Sequence, residues 1–150
     1  MASFTKGGDG PDPFGSNEYL RSTQDVKKES YTVAASTVAL ETVNGVADQK
    51  ILKPGEVMAK ITSGPEAGKV GPFQAAATDG RQTAANIVGL NDTFLPWQLL
   101  ERDVEIAVTY EATAVQGWCT ERDAAGARVT LTNTTADAMR GTKGLDVMFK

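Results

Sequence analysis

Lys53-Pro54-Gly55-Glu56-Val57-Met58-Ala59-Lys60-Ile61-Thr62 and, further on, Ala77-Thr78-Asp79-Gly80-Arg81-Gln82 decide how this chain is read. Pro54 presets φ near −65° for the second position of a tight turn, and Gly55 accepts the positive φ that the third position of a type II turn demands. A strand should leave that turn, because Val57, Ala59 and Ile61 point one way while Met58 and Lys60 point the other. Asp79 with Gln82 three residues on has the form of a variant capping box, which predicts a short helix over residues 81–88, with Ala84, Ile87 and Val88 on one side and Gly89 as its stop. Such a helix spans about two turns and must pack on a sheet to persist.

Outward from this stretch the pattern is mainly β. Tyr31 and Val33 share one parity and Val38 and Leu40 the other, so a bulge or bend near Ser36 is needed to keep all four on one face. Asn44-Gly45 between Val43 and Val46 has the two positive-φ residues of a type I′ hairpin. Residues 62–72 read as a loop punctuated by Gly64, Pro65, Gly68, Gly71 and Pro72. Leu95 and Leu99 read as core, while Trp97 is open between core and contact surface, tryptophan being enriched in both places. Val104, Ile106, Val108 and Tyr110 alternate with polar or small residues, the clearest half-buried strand in the chain. Gly117 marks a kink, residues 121–126 a turn, and Val129 and Leu131 a second short strand. Asn133 or Thr134 is a plausible cap for a brief helix ending at Gly141, and Leu145, Val147 and Phe149 alternate again, a tail strand expected to close the sheet.

Composition narrows the function. At 150 residues with 41% hydrophobic and 23% charged side chains the chain is long enough for one domain with a real core. A net charge of −4 argues against wrapping nucleic acid. A single cysteine, Cys119, excludes an internal disulfide, and the lack of histidine removes the commonest general base and zinc ligand. Cys119 is therefore expected to be a small apolar core residue. No apolar run approaches the ~18 to 20 residues of a membrane span, and no signal peptide is expected at the N-terminus.

No catalytic, cofactor-binding or metal-ligating set emerges, and the expectation is a protein that is not an enzyme. Gly68-Lys69 lacks the glycine and hydroxyl residues of a phosphate loop, since Ser63 and Val70 stand where those belong. Asp9 and Asp12 match no calcium loop, and Glu101 and Asp103 at a strand entrance read as solvated acids.

Residues 1–30 read as a flexible N-terminal arm preceding a β-rich domain over 31–150, because Gly7, Gly8, Gly10, Pro11, Pro13 and Gly15 crowd its first half. Two readings of the arm stand side by side: a loose tail, or a segment that orders on a neighbour with Phe4, Phe14 and Tyr19 as anchors and its backbone added to a sheet edge.

The Pro-Gly turn leading into Ala59-Lys60-Ile61, the connection Gly68-Lys69-Val70-Gly71-Pro72-Phe73, and the run Ala75-Ala76-Ala77-Thr78-Asp79-Gly80-Arg81-Gln82-Thr83-Ala84 together resemble the head decoration proteins of tailed bacteriophages, the lambda-like decoration family. The resemblance covers about residues 50 to 112. It implies a mainly β, barrel- or tulip-like domain with one or two short helices and an extended arm. It also implies a homotrimer seated on the outer capsid surface of the virion at local threefold positions, cementing the major capsid protein against internal DNA pressure, with no cofactor, nucleic acid or membrane involved. On that reading the arm residues Phe4, Phe14 and Tyr19 touch the capsid, and Thr78, Asp79, Gly80, Arg81, Gln82 and Trp97 lie at or near interfaces, with Asp79 and Gly80 serving backbone geometry first. The stretch 53–61 is also similar to the turn and strand of biotin- or lipoyl-carrier domains, and a trimeric β-rich nucleotide hydrolase is a further alternative. The first would need a lysine at a hairpin tip, where Asn44-Gly45 stands; the second would need an acidic motif on a glycine-bearing loop.

Overall fold

The computed structural model describes residues 17–150. Its strands are β1 (Lys27–Val33), β2 (Glu41–Val43), β3 (Val46–Gln49), β4 (Val57–Lys60), β5 (Val70–Pro72), β6 (Ile87–Asn91), β7 (Val104–Ala114), β8 (Thr120–Arg122), β9 (Arg128–Thr130) and β10 (Asp146–Phe149). Among the described residues α1 (Asn133–Arg140) is the single α-helix, so the protein is mainly β as its alternation demands.

Five strands form a ring, in the order β1, β5, β4, β6, β7 and back to β1. The closing seams differ in length. β1 runs antiparallel to β7 from Lys27 opposite Glu111 to Val33 opposite Val104, whereas β5 meets β1 in parallel at Val33 and Val70. Closure leaves few unpaired edges, which is how small antiparallel sheets avoid adding strands from other chains.

The two-residue side-chain period gives the ring an inside and an outside. Val33, Met58, Val70, Ile106 and Val108 pack inward together, and Val38, Leu52, Leu95 and Leu99 join the same cluster. Backbone bonds between Leu52 and Leu95 in both directions seal this end as a plug. Outward, Val57, Ala59, Ile87 and Leu90 pack under Ala136 and Met139 of α1, Val147 and Phe149 of β10, and Cys119 and Leu131. Burial of these side chains is worth roughly 1.5–3 kcal/mol for each large one relative to exposure.

Several local expectations hold. The Pro54-Gly55 turn is present with Gly55 at φ +87°, as is the Asn44-Gly45 hairpin with φ of +49° and +80°. Residues 35–37 make a 3-10 turn that serves as the bend near Ser36 and returns Val38 to the cluster of Val33, with Tyr31 packed against it; Leu40, however, is exposed. Leu95 and Leu99 are core, and Trp97 is exposed. α1 stops at Gly141.

Other local expectations are corrected. The helix over 81–88 is replaced by a 3-10 turn at Ala84–Asn86 followed by β6, which contains Gly89. The Asp79 and Gln82 side chains bond Arg81 N and Gly80 N, each only two residues away, so they close tight turns in competition with a helix start. Residues 70–72, read as loop, are β5, because Val70 and Pro72 are register partners of Lys60 and Met58 on β4. The α1 cap is Thr132, ahead of both expected residues, Asn133 and Thr134. Glu121 draws it there by accepting from Thr132 N, Thr132 Oγ1 and Thr135 Oγ1, while Thr132 Oγ1 accepts from Thr135 N.

The tail strand exists but does not close the ring; it lies parallel to β7, with Val147 opposite Ala112 and Phe149 opposite Ala114. Val147 and Phe149 are nonetheless buried, so truncation after Gly144 removes two apolar side chains from the outer core. The truncated protein is expected to unfold at clearly lower urea, by about 3–5 kcal/mol for the loss of Phe149 alone. An unchanged urea midpoint would contradict this.

Candidate functional site

The sequence-selected residues fall into three places. The first is where the chain enters the described domain. Tyr19, expected as an anchor for a partner, is 3% exposed and packs in the protein's own outer core. Its hydroxyl donates to Asp92 Oδ1 at 2.6 Å and lies 2.8 Å from Thr109 Oγ1. Val115 N donates to Tyr19 O, and Arg21 N donates to Thr113 O, so the backbone on both sides is held as well. The arm boundary drawn at residue 30 is corrected accordingly. Residues from Tyr19 on belong to the domain, since an aromatic ring with a satisfied hydroxyl gains more from burial here than from water. Phe4 and Phe14 lie outside the described residues. Segment 17–24 forms one wall of a cleft of about 750 Å³ whose other side carries Pro54, Asp92 and Phe94.

Burial, then the bond to Asp92, pushes the Tyr19 phenol well above its ordinary pKa of about 10. The native state therefore keeps this proton after the unfolded chain has lost it, and stability falls as pH rises past about 10. Tyr19→Phe is expected to reduce that alkaline loss and to cost about 1 to 2 kcal/mol at neutral pH through the unpaired polar groups left behind. Urea midpoints at neutral pH and at about pH 11 measure both effects.

The second place is the run 78–82. Arg81, nearly buried, donates from Nε to both Asp79 carboxylate oxygens at 3.1 and 3.0 Å and from a terminal guanidinium nitrogen to Pro72 O at 3.0 Å. Asp79 O accepts from Thr62 N and Ser63 N, and Asn86 Nδ2 donates to Gly80 O. Gly80 stands at φ +109°, and a Cβ there would lie 2.2 Å from Thr62 Oγ1. The run is thus a clasp tying the segment before β6 to β5 and to the end of β4. Asp79, Gly80 and Arg81 are spent on this geometry, and only Thr78 and Gln82 face solvent.

Trp97 occupies the third place, beside the plug rather than beside the clasp. It caps the 3-10 turn Gln98–Leu100, in which residues three apart eclipse one another, so Trp97 and Leu100 form one ridge. Both are about half exposed, at 48% and 46%, with Leu99 between them buried. Leu40, Val46, Trp118 and Met148 are exposed apolar side chains elsewhere.

Sequence reasoning missed an ionic cluster. Glu56, fully buried, accepts from Arg122 Nε at 2.9 Å and from a second guanidinium nitrogen at 3.4 Å. Arg122 also donates to Ile51 O and Gly126 O. Arg128 Nε lies 3.4 Å from Glu56 Oε1, near enough to attract but poorly aligned for a hydrogen bond, and the rest of its guanidinium makes a two-pronged pair with Glu41 and a bond to Ile51 O. No spacing signals a partnership of residues this far apart in sequence. The cluster fastens the β2–β3 and β8–β9 hairpins to the ring.

Cys119 is buried, and burial pushes its thiol up to about 12, which leaves very little nucleophilic thiolate at neutral pH. Among the described residues no group of three or more His, Cys, Asp or Glu is placed to hold a metal ion. No helix among them is long and apolar enough to cross a membrane. Comparison with protein-family models, with curated proteins and with solved structures finds no match for the chain.

Proposed function

We propose that this chain is a capsid decoration protein, a homotrimer that binds the major capsid protein on the outer surface of a phage head and cements the shell against the pressure of packaged DNA. The resemblance over the middle of the chain supports this reading. The structural observation that carries it is the division of labour among side chains: the buried charged groups Glu56, Arg122 and Arg81 are consumed by internal bonds, while Trp97, Leu100, Trp118, Leu40, Val46 and Met148 stay in water. Tryptophan is enriched among the residues that carry binding energy at protein interfaces, and exposed apolar side chains around it supply area to bury. Many copies on a repeating shell convert modest contacts into durable attachment. The carrier reading gains nothing from the fold, whose Asn44-Gly45 hairpin tip presents no lysine.

The test is co-sedimentation with expanded phage shells that lack decoration protein, followed by electron microscopy of shells with and without it. The expected result is pelleting with the shells and added density at local threefold positions. Protein that stays in the supernatant at saturating shell concentration overturns the reading.

A further inference from the structure

The ring is plugged at one end by Leu52, Leu95 and Leu99 and open at the other. Its open end can be read from strand parity. On β1, Glu29 and Tyr31 continue the inward row of Val33; on β4, Lys60 continues that of Met58; on β7, Tyr110 continues that of Ile106 and Val108. These four residues line one mouth of about 330 Å³, with Val88 on its wall and Lys143 on its rim.

The polar groups of this mouth are unequally satisfied. Tyr31 donates its hydroxyl to Glu29, whose carboxylate keeps its negative charge, and Asn86 gives its amide to Gly80 O. Lys60 and Lys143 have no hydrogen-bond or ion-pair partner among the described residues, and neither does the Tyr110 hydroxyl have a hydrogen bond. The charged groups of the mouth are therefore two lysines against one glutamate, a local positive excess on a protein whose overall charge is −4. The walls between these donors are apolar or aromatic: two tyrosine rings, Val88 and Leu145. Mouths of β-barrels are common binding sites.

From this arrangement we infer that the open mouth of the ring is a docking site for an acidic residue of a partner polypeptide, its carboxylate held between Lys60 and Lys143 and its apolar neighbours laid against Tyr31, Tyr110 and Val88. A peptide fits better than a free anion because the opening is wide and the rings of Tyr31 and Tyr110 and the side chain of Val88 stand between its polar groups, surface that a bare oxyanion cannot use. The inference rests on the reading of the chain as a protein-binding protein and names the chemistry of one contact.

The test titrates full-length protein, labelled with nitrogen-15, with a capped peptide of alternating leucine and aspartate. The same peptide with asparagine for aspartate, glutarate, and inorganic phosphate serve as the other probes. Amide shifts are expected at positions 29–31, 60, 85–88, 110 and 143–145. Binding is expected to weaken about tenfold with the asparagine peptide and about tenfold in the double variant Lys60→Glu, Lys143→Glu. Rising salt is expected to weaken it as well. Both lysines are solvent-facing, so the double variant should keep the wild-type thermal transition. Equal binding of the aspartate and asparagine peptides, glutarate or phosphate bound as tightly as the peptide, or shifts absent from the mouth would each overturn the inference. The peptide titration reads the mouth alone and shell co-sedimentation reads the proposed function alone, so failure of one is distinguishable from failure of the other.

Discussion

Replacing Glu56 with alanine is expected to lower the unfolding free energy by about 3–5 kcal/mol, the range for removing one partner of a buried ion pair. Glu56 is fully buried and Arg122 nearly so. The variant strands the Arg122 guanidinium with carbonyl partners only, at Ile51 and Gly126, and removes one of the two carboxylates beside Arg128. Converting both partners to apolar residues, Glu56→Leu with Arg122→Met, should recover most of the loss, because the desolvation penalty then vanishes together with the attraction. The two single variants and the double, compared by urea denaturation, give the coupling directly. A Glu56→Ala variant that loses less than about 1 kcal/mol would mean that the carboxylate contributes little beyond a surface pair. Glu56→Gln, which keeps the shape and one acceptor, provides a milder variant if alanine prevents folding.

Deleting residues 2–16 is expected to reduce binding to phage shells about a hundredfold or more while leaving the urea midpoint unchanged. Deleting residues 2–28 should instead damage the fold itself. The longer deletion removes Tyr19 with its bonds to Asp92 and Thr109, the Leu20 bridge to Ala114, and the first residues of β1. Loss of a buried tyrosine alone costs about 3–5 kcal/mol. The pair separates two roles that a single long truncation would confuse. Full shell binding by the 2–16 deletion would sink the assignment of capsid contacts to Phe4 and Phe14, and a 2–28 deletion with wild-type stability would contradict the placement of Tyr19 in the core. Shell co-sedimentation and urea titration of both proteins supply the measurements.

How much was legible depended on the range of the forces involved. The Pro54-Gly55 and Asn44-Gly45 turns were readable because φ preferences act within a residue or two. β7 was readable because its inward row of Val104, Ile106 and Val108 repeats at a period only a half-buried strand has. Residues 87–91 misled because Ala84, Ile87 and Val88 fit helical spacing, while β-branched Ile87 and Val88 also suit a strand. Pairing with β4 and β7 settled the choice. The run 78–82 drew notice for its residue types, yet Asp79, Gly80 and Arg81 turn inward to Thr62 and Pro72, partners outside the run itself.

Local chemistry in the chain determined that this would be a mainly β domain, where two of its tight turns fall, which long strand anchors it, and that Leu95, Leu99 and Cys119 belong inside. Tertiary structure alone decided that the strands close into a ring, that Tyr19 is part of the core, and that Glu56 shares its burial with arginines from a distant hairpin. The physical reason is that turn and alternation preferences are properties of neighbouring residues, whereas closure, desolvation and charge pairing exist only once segments far apart in the chain have displaced the water between them.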